Sequence, residues 1–83
     1  PNDTITREQA SAILTNFFDL SLKKDAPAYE DVNSGRWSEQ YINLAGQFMP
    51  VDEKEGVYYF RPTDSATRIE IAEAIVKIIK AFE

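Results

Sequence analysis

One helix-start signal occurs twice in this chain, 61 positions apart. Pro1-Asn2-Asp3-Thr4-Ile5-Thr6-Arg7 aligns with Pro62-Thr63-Asp64-Ser65-Ala66-Thr67-Arg68, with identity at Pro, Asp, Thr and Arg. Each copy ends in a capping box, Thr6-x-x-Gln9 and Thr67-x-x-Glu70. In such a box the threonine hydroxyl accepts from the backbone N–H three residues on, and the Gln or Glu side chain reaches back to the threonine N–H. A repeat of this length implies stacked supersecondary units, here one complete unit preceded by the tail of another. Behind the second box, no Gly or Pro interrupts the run to Phe82. Glu70, Glu73, Lys77 and Lys80 form one narrow polar stripe, and isoleucines, alanines, Val76 and Phe82 fill most of the remaining circumference. A helix with so little polar surface is expected to pack on several sides and to be the core helix. Behind the first box, Ala10, Ile13, Leu14, Phe17 and Phe18 recur at i, i+3, i+4 and i+7, which predicts a helix from Arg7 to Phe18 or Asp19.

Between the boxes, Pro1–Ile5 reads as a lead-in and Ser21–Pro27 as an exposed connector. Ala28–Val32 is expected to lie extended at the core edge, with Tyr29 and Val32 inward. Asn33-Ser34-Gly35 is turn chemistry before a second helix, roughly Arg36–Gln47, which is stopped by Pro50. Its apolar face is expected to be Trp37, Tyr41, Leu44, Ala45 and Phe48, with Ser38, Glu39, Gln40, Asn43 and Gln47 outward. Val51–Gly56 reads as a charged loop and Val57–Phe60 as a short β-prone segment too isolated to make a sheet. The expected fold class is all-α, a small three-helix bundle with extended connectors.

Size and composition remove several function classes. With 83 residues the chain holds one small domain or part of a repeat array. It has no cysteine and no histidine, which excludes disulfides, thiolate or imidazole metal sites and histidine acid–base catalysis. A net charge of −5 without a basic face argues against nucleic-acid binding. No apolar run approaches the ~18 residues of a membrane span, and no signal-peptide pattern opens the chain. Pro1 is not an initiator residue, so the chain reads as a piece excised or processed from a longer protein. Asp31-Val32-Asn33-Ser34-Gly35 suggests a calcium loop, but the sixth and twelfth positions are Arg36 and Ile42, where an EF-hand needs Gly and Glu. No metal or cofactor is expected. Asp52, Glu53 and Glu55 read as a flexible acidic loop without a partner base, so the chain is expected not to be an enzyme.

The order of features resembles the S-layer homology (SLH) motif of bacterial cell-surface proteins. That motif runs from an aromatic-Asp-Val opening through a Trp that begins a helix, a glycine-containing loop and a Phe-Arg-Pro turn to a Thr-Arg-Ala-Glu-type helix start. Here these are Tyr29-Glu30-Asp31-Val32, Trp37 with Ile42, Gly56, Phe60-Arg61-Pro62 and Thr67-Arg68-Ile69-Glu70. The resemblance covers about Tyr29 to Phe82, plus Asp3 to Phe18 as the end of a preceding motif. It divides the chain into a half-motif over 1–20, a connector over 21–28 and a complete motif over 29–83. Two departures stand out. Met49-Pro50-Val51-Asp52-Glu53 replaces the glycines usual after the second helix, and Gln9 replaces Glu in the first box.

The resemblance implies a non-catalytic anchor, part of a larger exported protein at the bacterial cell wall. Such modules bind secondary cell-wall polysaccharide, often pyruvate-modified, between adjacent motifs. A ketal-linked pyruvate presents a carboxylate that an arginine fork binds bidentately. By position, Arg7 and Arg68 are the carboxylate candidates, Trp37 a face for a sugar ring, and Asp31, Glu70 and Gln9 partners for hydroxyls. Each has a structural alternative. The arginines sit at the first helical position, where the dipole disfavours a cation, so each calls for a partner, whether Asp3, Asp64, a neighbouring helix or a ligand. Trp37 suits a core stripe, Asp31 a turn brace, and Glu70 and Gln9 their boxes. The alternative function is a protein-interaction or self-assembly module of a surface-layer protein, docking neighbouring motifs or copies of itself without binding glycan.

Overall fold

The computed structural model describes residues 4–20 and 28–82. The expected connector over 21–27 and the first three residues of the lead-in lie outside them. In chain order the elements are α1 (Arg7–Phe18), α2 (Glu39–Ala45) continued by a 3₁₀ turn (Gly46–Phe48), β1 (Asp52–Lys54), β2 (Val57–Tyr59) and α3 (Arg68–Ala81). Both capping boxes form as expected. Thr6 Oγ1 accepts from the Gln9 N–H and Thr67 Oγ1 from the Glu70 N–H, while Gln9 and Glu70 accept from the threonine N–H groups.

The all-α expectation is corrected to a mixed α/β fold, because β1 and β2 pair antiparallel with Asp52 opposite Tyr59 and Lys54 opposite Val57. The loop between them is Glu55-Gly56, both with positive φ (52° and 82°). Two left-handed residues suit a tight hairpin whose twist matches its strands. The charged stretch Asp52-Glu53-Lys54 conceals the strand because it is exposed on all three residues and carries no alternating apolar pattern. Tyr58 packs against the core and also bridges Tyr29 in parallel, with the Glu30 N–H donating to the Tyr58 carbonyl at 2.8 Å.

The core is built from Ala10 and Leu14 of α1, Leu20, Tyr29, Ile42 and Ala45 of α2, Met49, Phe60, and Ala74 and Ile78 of α3. Fully burying a side chain such as Ile42, Phe60 or Ile78 contributes about 1.5–3 kcal/mol. Gly46 permits close packing where α2 meets the 3₁₀ turn, since a Cβ there would stand 3.2 Å from the Phe60 ring and 3.4 Å from the Tyr29 hydroxyl.

The covered faces of all three helices overlap only in part with those expected. On α2 the inward positions are Ser38, Ile42, Ala45 and Met49, a stripe rotated away from Trp37, which precedes the helix and is 57% exposed. Helix two is also shorter than Arg36–Gln47, since it begins only at Glu39 and its last turn tightens to 3₁₀ ahead of Pro50. On α1, Ala10 and Leu14 are buried, but Ile13 and Phe17 face solvent while Arg7, Glu8, Ser11 and Thr15 face inward. On α3 only Ala74 and Ile78 are fully enclosed. Ile69, Val76, Ile79 and Phe82 are exposed, so the helix expected to be surrounded is covered on one side.

The two repeated lead-ins meet each other. Thr6 and Ser65 form an antiparallel bridge, and the Ala66 N–H donates to the Ile5 carbonyl at 2.8 Å. The first two amides of α1 are satisfied by the second lead-in, Arg7 N–H to the Asp64 carbonyl (2.8 Å) and Glu8 N–H to the Pro62 carbonyl (3.0 Å). These are groups a helix cannot satisfy internally.

Candidate functional site

Delivered by α1 through these backbone bonds, the Arg7 side chain is completely buried. Its Nε donates to the Phe60 carbonyl at 2.7 Å and its Nη2 to the Pro50 carbonyl. Nη1 faces Glu70 Oε2 at 3.0 Å, a charge contact without hydrogen-bond geometry. The guanidinium carbon lies 4.7 Å from the centroid of the Phe60 ring. Burial pulls the Arg7 pKa below the usual guanidinium value, and the Glu70 charge opposes that pull. For Glu70, burial works against ionisation, but the Thr67 amide and the Arg7 charge prevail and hold its carboxyl below the ordinary value.

The segment that Arg7 grips is also held from the opposite direction. Asp31 accepts two successive amides, Phe60 N–H on Oδ1 at 2.9 Å and Arg61 N–H on Oδ2 at 2.8 Å. That clamp keeps Arg61 at φ +60°, a left-handed conformation unusual for a residue with a side chain. Arg61 is thereby turned toward three carboxylates, with Asp52 at 3.1 Å, Asp64 at 3.5 Å and Glu70 at 3.7 Å. Its Nε has no hydrogen-bond partner of good geometry, and the side chain is 35% exposed. Arg7 is fully enclosed by the protein, whereas Arg61 is paired with carboxylates but partly exposed beside the groove.

Beside Arg61 opens a groove of about 620 Å³, bounded by Asp31, Val51, Asp52, Glu53, Lys54 and Tyr59. The β hairpin supplies most of it, so the groove depends on the strands that sequence reasoning discounted. Tyr59 offers an aromatic surface, Asp52 and Glu53 offer acceptors, and Arg61 and Lys54 are the cations. This arrangement suits a hydroxyl-rich ligand with a carboxylate directed at Arg61. Among the described residues no group of carboxylates could hold a metal ion.

Of the six residues singled out from sequence, the structure brings Arg7, Asp31 and Glu70 together around Phe60 and Arg61. Asp31 braces the 60–61 backbone and lines the groove rather than capping the turn before α2, where the Gly35 N–H donates to Glu39 instead. Gln9 is exposed and occupied in its box. Trp37 stands with Tyr41 (ring centroids 6.2 Å apart) outside the groove lining, and Arg68 is exposed and also outside it. Arg61, Tyr59, Asp52 and Lys54 were missed. The Phe-Arg-Pro turn was the available signal for Arg61, since it points to a residue held in an unusual place.

A second ion pair, enclosed on its Glu8 side and partly exposed at Arg36, fastens α1 to the turn before α2. Arg36 donates to both Glu8 oxygens at 2.8 and 3.1 Å, and Ser38 Oγ donates to Oε1 at 2.6 Å. The Arg36 fork, followed by the Ser38 bond, holds the Glu8 carboxyl below its usual pKa against the effect of burial. Compared with family models, curated proteins and solved structures, the chain matches none.

Proposed function

We propose that this chain is a non-catalytic cell-wall anchoring module that binds secondary cell-wall polysaccharide, including pyruvylated forms, at the surface of a bacterium. The observation that carries this reading is the groove at Arg61. Two of its residues, Asp31 and Arg61, belong to the stretches on which the resemblance to the SLH motif rests. In this reading a sugar ring lies on Tyr59, its hydroxyls reach Asp52 and Glu53, and a pyruvyl carboxylate reaches the exposed part of Arg61 by displacing one of its acidic partners. Arg7 acts one step back by fixing the Phe60 and Pro50 carbonyls, and Arg68 takes no part.

Co-sedimentation with Gram-positive wall sacculi, before and after removal of the secondary polysaccharide, tests it. The chain is expected to pellet only with the polysaccharide present. Arg61→Gln should abolish pelleting, while Arg68→Ala should pellet like the parent. Pelleting that survives polysaccharide removal or Arg61→Gln rules the reading out.

A protein-interaction or self-assembly role has its own supporting observation in the exposed Ile69, Val76, Ile79 and Phe82 of α3. It predicts no polysaccharide-dependent pelleting and a sedimentation coefficient that rises with protein concentration.

A further inference from the structure

The three carboxylates that face Arg61 are held in different ways. Glu70 is committed twice over, with Oε1 accepting the Thr67 N–H and Oε2 lying 3.0 Å from Arg7. Asp64 belongs to the same turn as Arg61, where its N–H donates to the Arg61 carbonyl and its own carbonyl receives the Arg7 N–H. Its side chain lies outside the groove lining. Of the three, only Asp52 shares the groove with Arg61. It stands on β1 directly opposite Tyr59, and residues paired in this way project from one face of a hairpin. The Asp52 side chain is 63% exposed and meets Arg61 Nε at 3.1 Å without hydrogen-bond geometry. Arg61, by contrast, is fixed, because Asp31 accepts its N–H at 2.8 Å and the backbone is kept at φ +60°. One partner is therefore anchored, and the other can turn into solvent without disturbing any packing. An exposed pair of this kind is weak, favouring the closed contact by about fivefold at most.

We propose that Asp52 is the specificity-determining residue of the groove, an internal stand-in for the ligand's carboxylate, a role that rests on the anchoring function above. In the free protein Asp52 occupies the groove side of Arg61. Ligand entry is an exchange. The pyruvyl carboxylate takes the place of Asp52 at Arg61, and Asp52 turns to the sugar hydroxyls beside Tyr59. A glycan without pyruvate carries no anion to make that exchange and leaves the Asp52–Arg61 contact closed. Asp52 thus sets how much the pyruvyl group adds to affinity, because every carboxylate that reaches Arg61 must first open an existing ion pair.

The test has two arms, both on the full chain at constant ionic strength. In the first, the Arg61 Nε–H NMR signal is followed during titration with sodium acetate, which needs no sugar site. Asp52→Asn is expected to lower the half-saturating acetate concentration by about three- to fivefold, and Asp64→Asn by less than about twofold. In the second, calorimetry measures binding of soluble Gram-positive wall polysaccharide, with its pyruvate intact and after mild-acid removal of the ketal. Asp52→Asn should tighten binding of the pyruvylated form by the same factor of about three to five and leave the stripped form within about twofold of the parent. An Asp52→Asn signal that answers acetate no better than the parent's, or no better than that of Asp64→Asn, overturns the exchange. Equal tightening of both polysaccharide forms also overturns it, since general charge repulsion would then be the cause. If acetate behaves as expected while neither polysaccharide form binds parent or variant, the anchoring function itself fails, and the specificity role falls with it.

Discussion

Arg7 and Phe60 are 53 residues apart, yet the Arg7 Nε–H donates to the Phe60 carbonyl at 2.7 Å while its guanidinium lies against the ring of the same residue. One side chain thus ties α1 to the turn before α3 by charge, hydrogen bond and aromatic contact together. Removing one partner of a buried charge pair costs about 3–5 kcal/mol, because the other groups are left enclosed and unpaired. Arg7→Ala is therefore expected to lower the unfolding free energy by about that much, and Arg7→Lys by nearly as much because lysine lacks the planar fork. Arg68→Ala, at the identical repeat position but exposed, should change stability by less than about 0.5 kcal/mol. Urea titrations of the three variants check the contrast.

The Asp31 clamp is a second expected weak point. Asp31→Ala leaves the Phe60 and Arg61 amides without their acceptor and frees Arg61 from its left-handed conformation. The expected loss is about 1–3 kcal/mol. Amide exchange should show protection lost first at Phe60 and Arg61, ahead of the helices.

Acid should weaken the domain. Glu8 and Glu70 both have pKa values depressed in the folded state. A depressed carboxyl contributes stability above its unfolded pKa of about 4.3 and loses it as pH falls through the lower folded value. The urea midpoint should accordingly hold level near neutrality and fall below about pH 4.3, and Glu8→Gln should flatten that fall. At the other extreme, burial raises the Tyr29 pKa. Stability should therefore decline above about pH 10, where tyrosine in the unfolded chain ionises first.

The β hairpin offers a gain of stability. Glu55 holds φ 52° in a turn that favours Asn followed by Gly. Glu55→Asn is expected to raise stability by about 0.5 kcal/mol. Gly56→Ala should lower it by about 1 kcal/mol, through strain at φ 82° rather than a clash, since nothing lies within 4 Å of the added methyl. Thermal melts of both variants suffice.

The helices at the two ends were legible because their signals are local. Thr6-x-x-Gln9 and Thr67-x-x-Glu70 need only the amides beside them, and both boxes form as spacing alone requires. The β hairpin was not legible, because Asp52-Glu53-Lys54 lacks alternation and the Glu55-Gly56 turn replaces the more recognisable Asn-Gly. Asp31 was noticed as a brace, but the segment it braces lies some thirty residues further along. Periodicity could not report that distance.

By itself, then, the sequence determined where α1 and α3 start, that their start signal is repeated, and which side chains are chemically able to hold a carboxylate. Tertiary structure decided which face of each helix is covered, and so which arginine is which. Arg7 and Arg68 stand in the same local context, and nothing within a few residues distinguishes them. Burial is a property of what arrives from elsewhere in the chain. The 50–64 segment closes over Arg7, and no described segment closes over Arg68. The Arg61 groove arises in the same way, from a carboxylate at Asp31 holding a backbone turn that no local propensity would select.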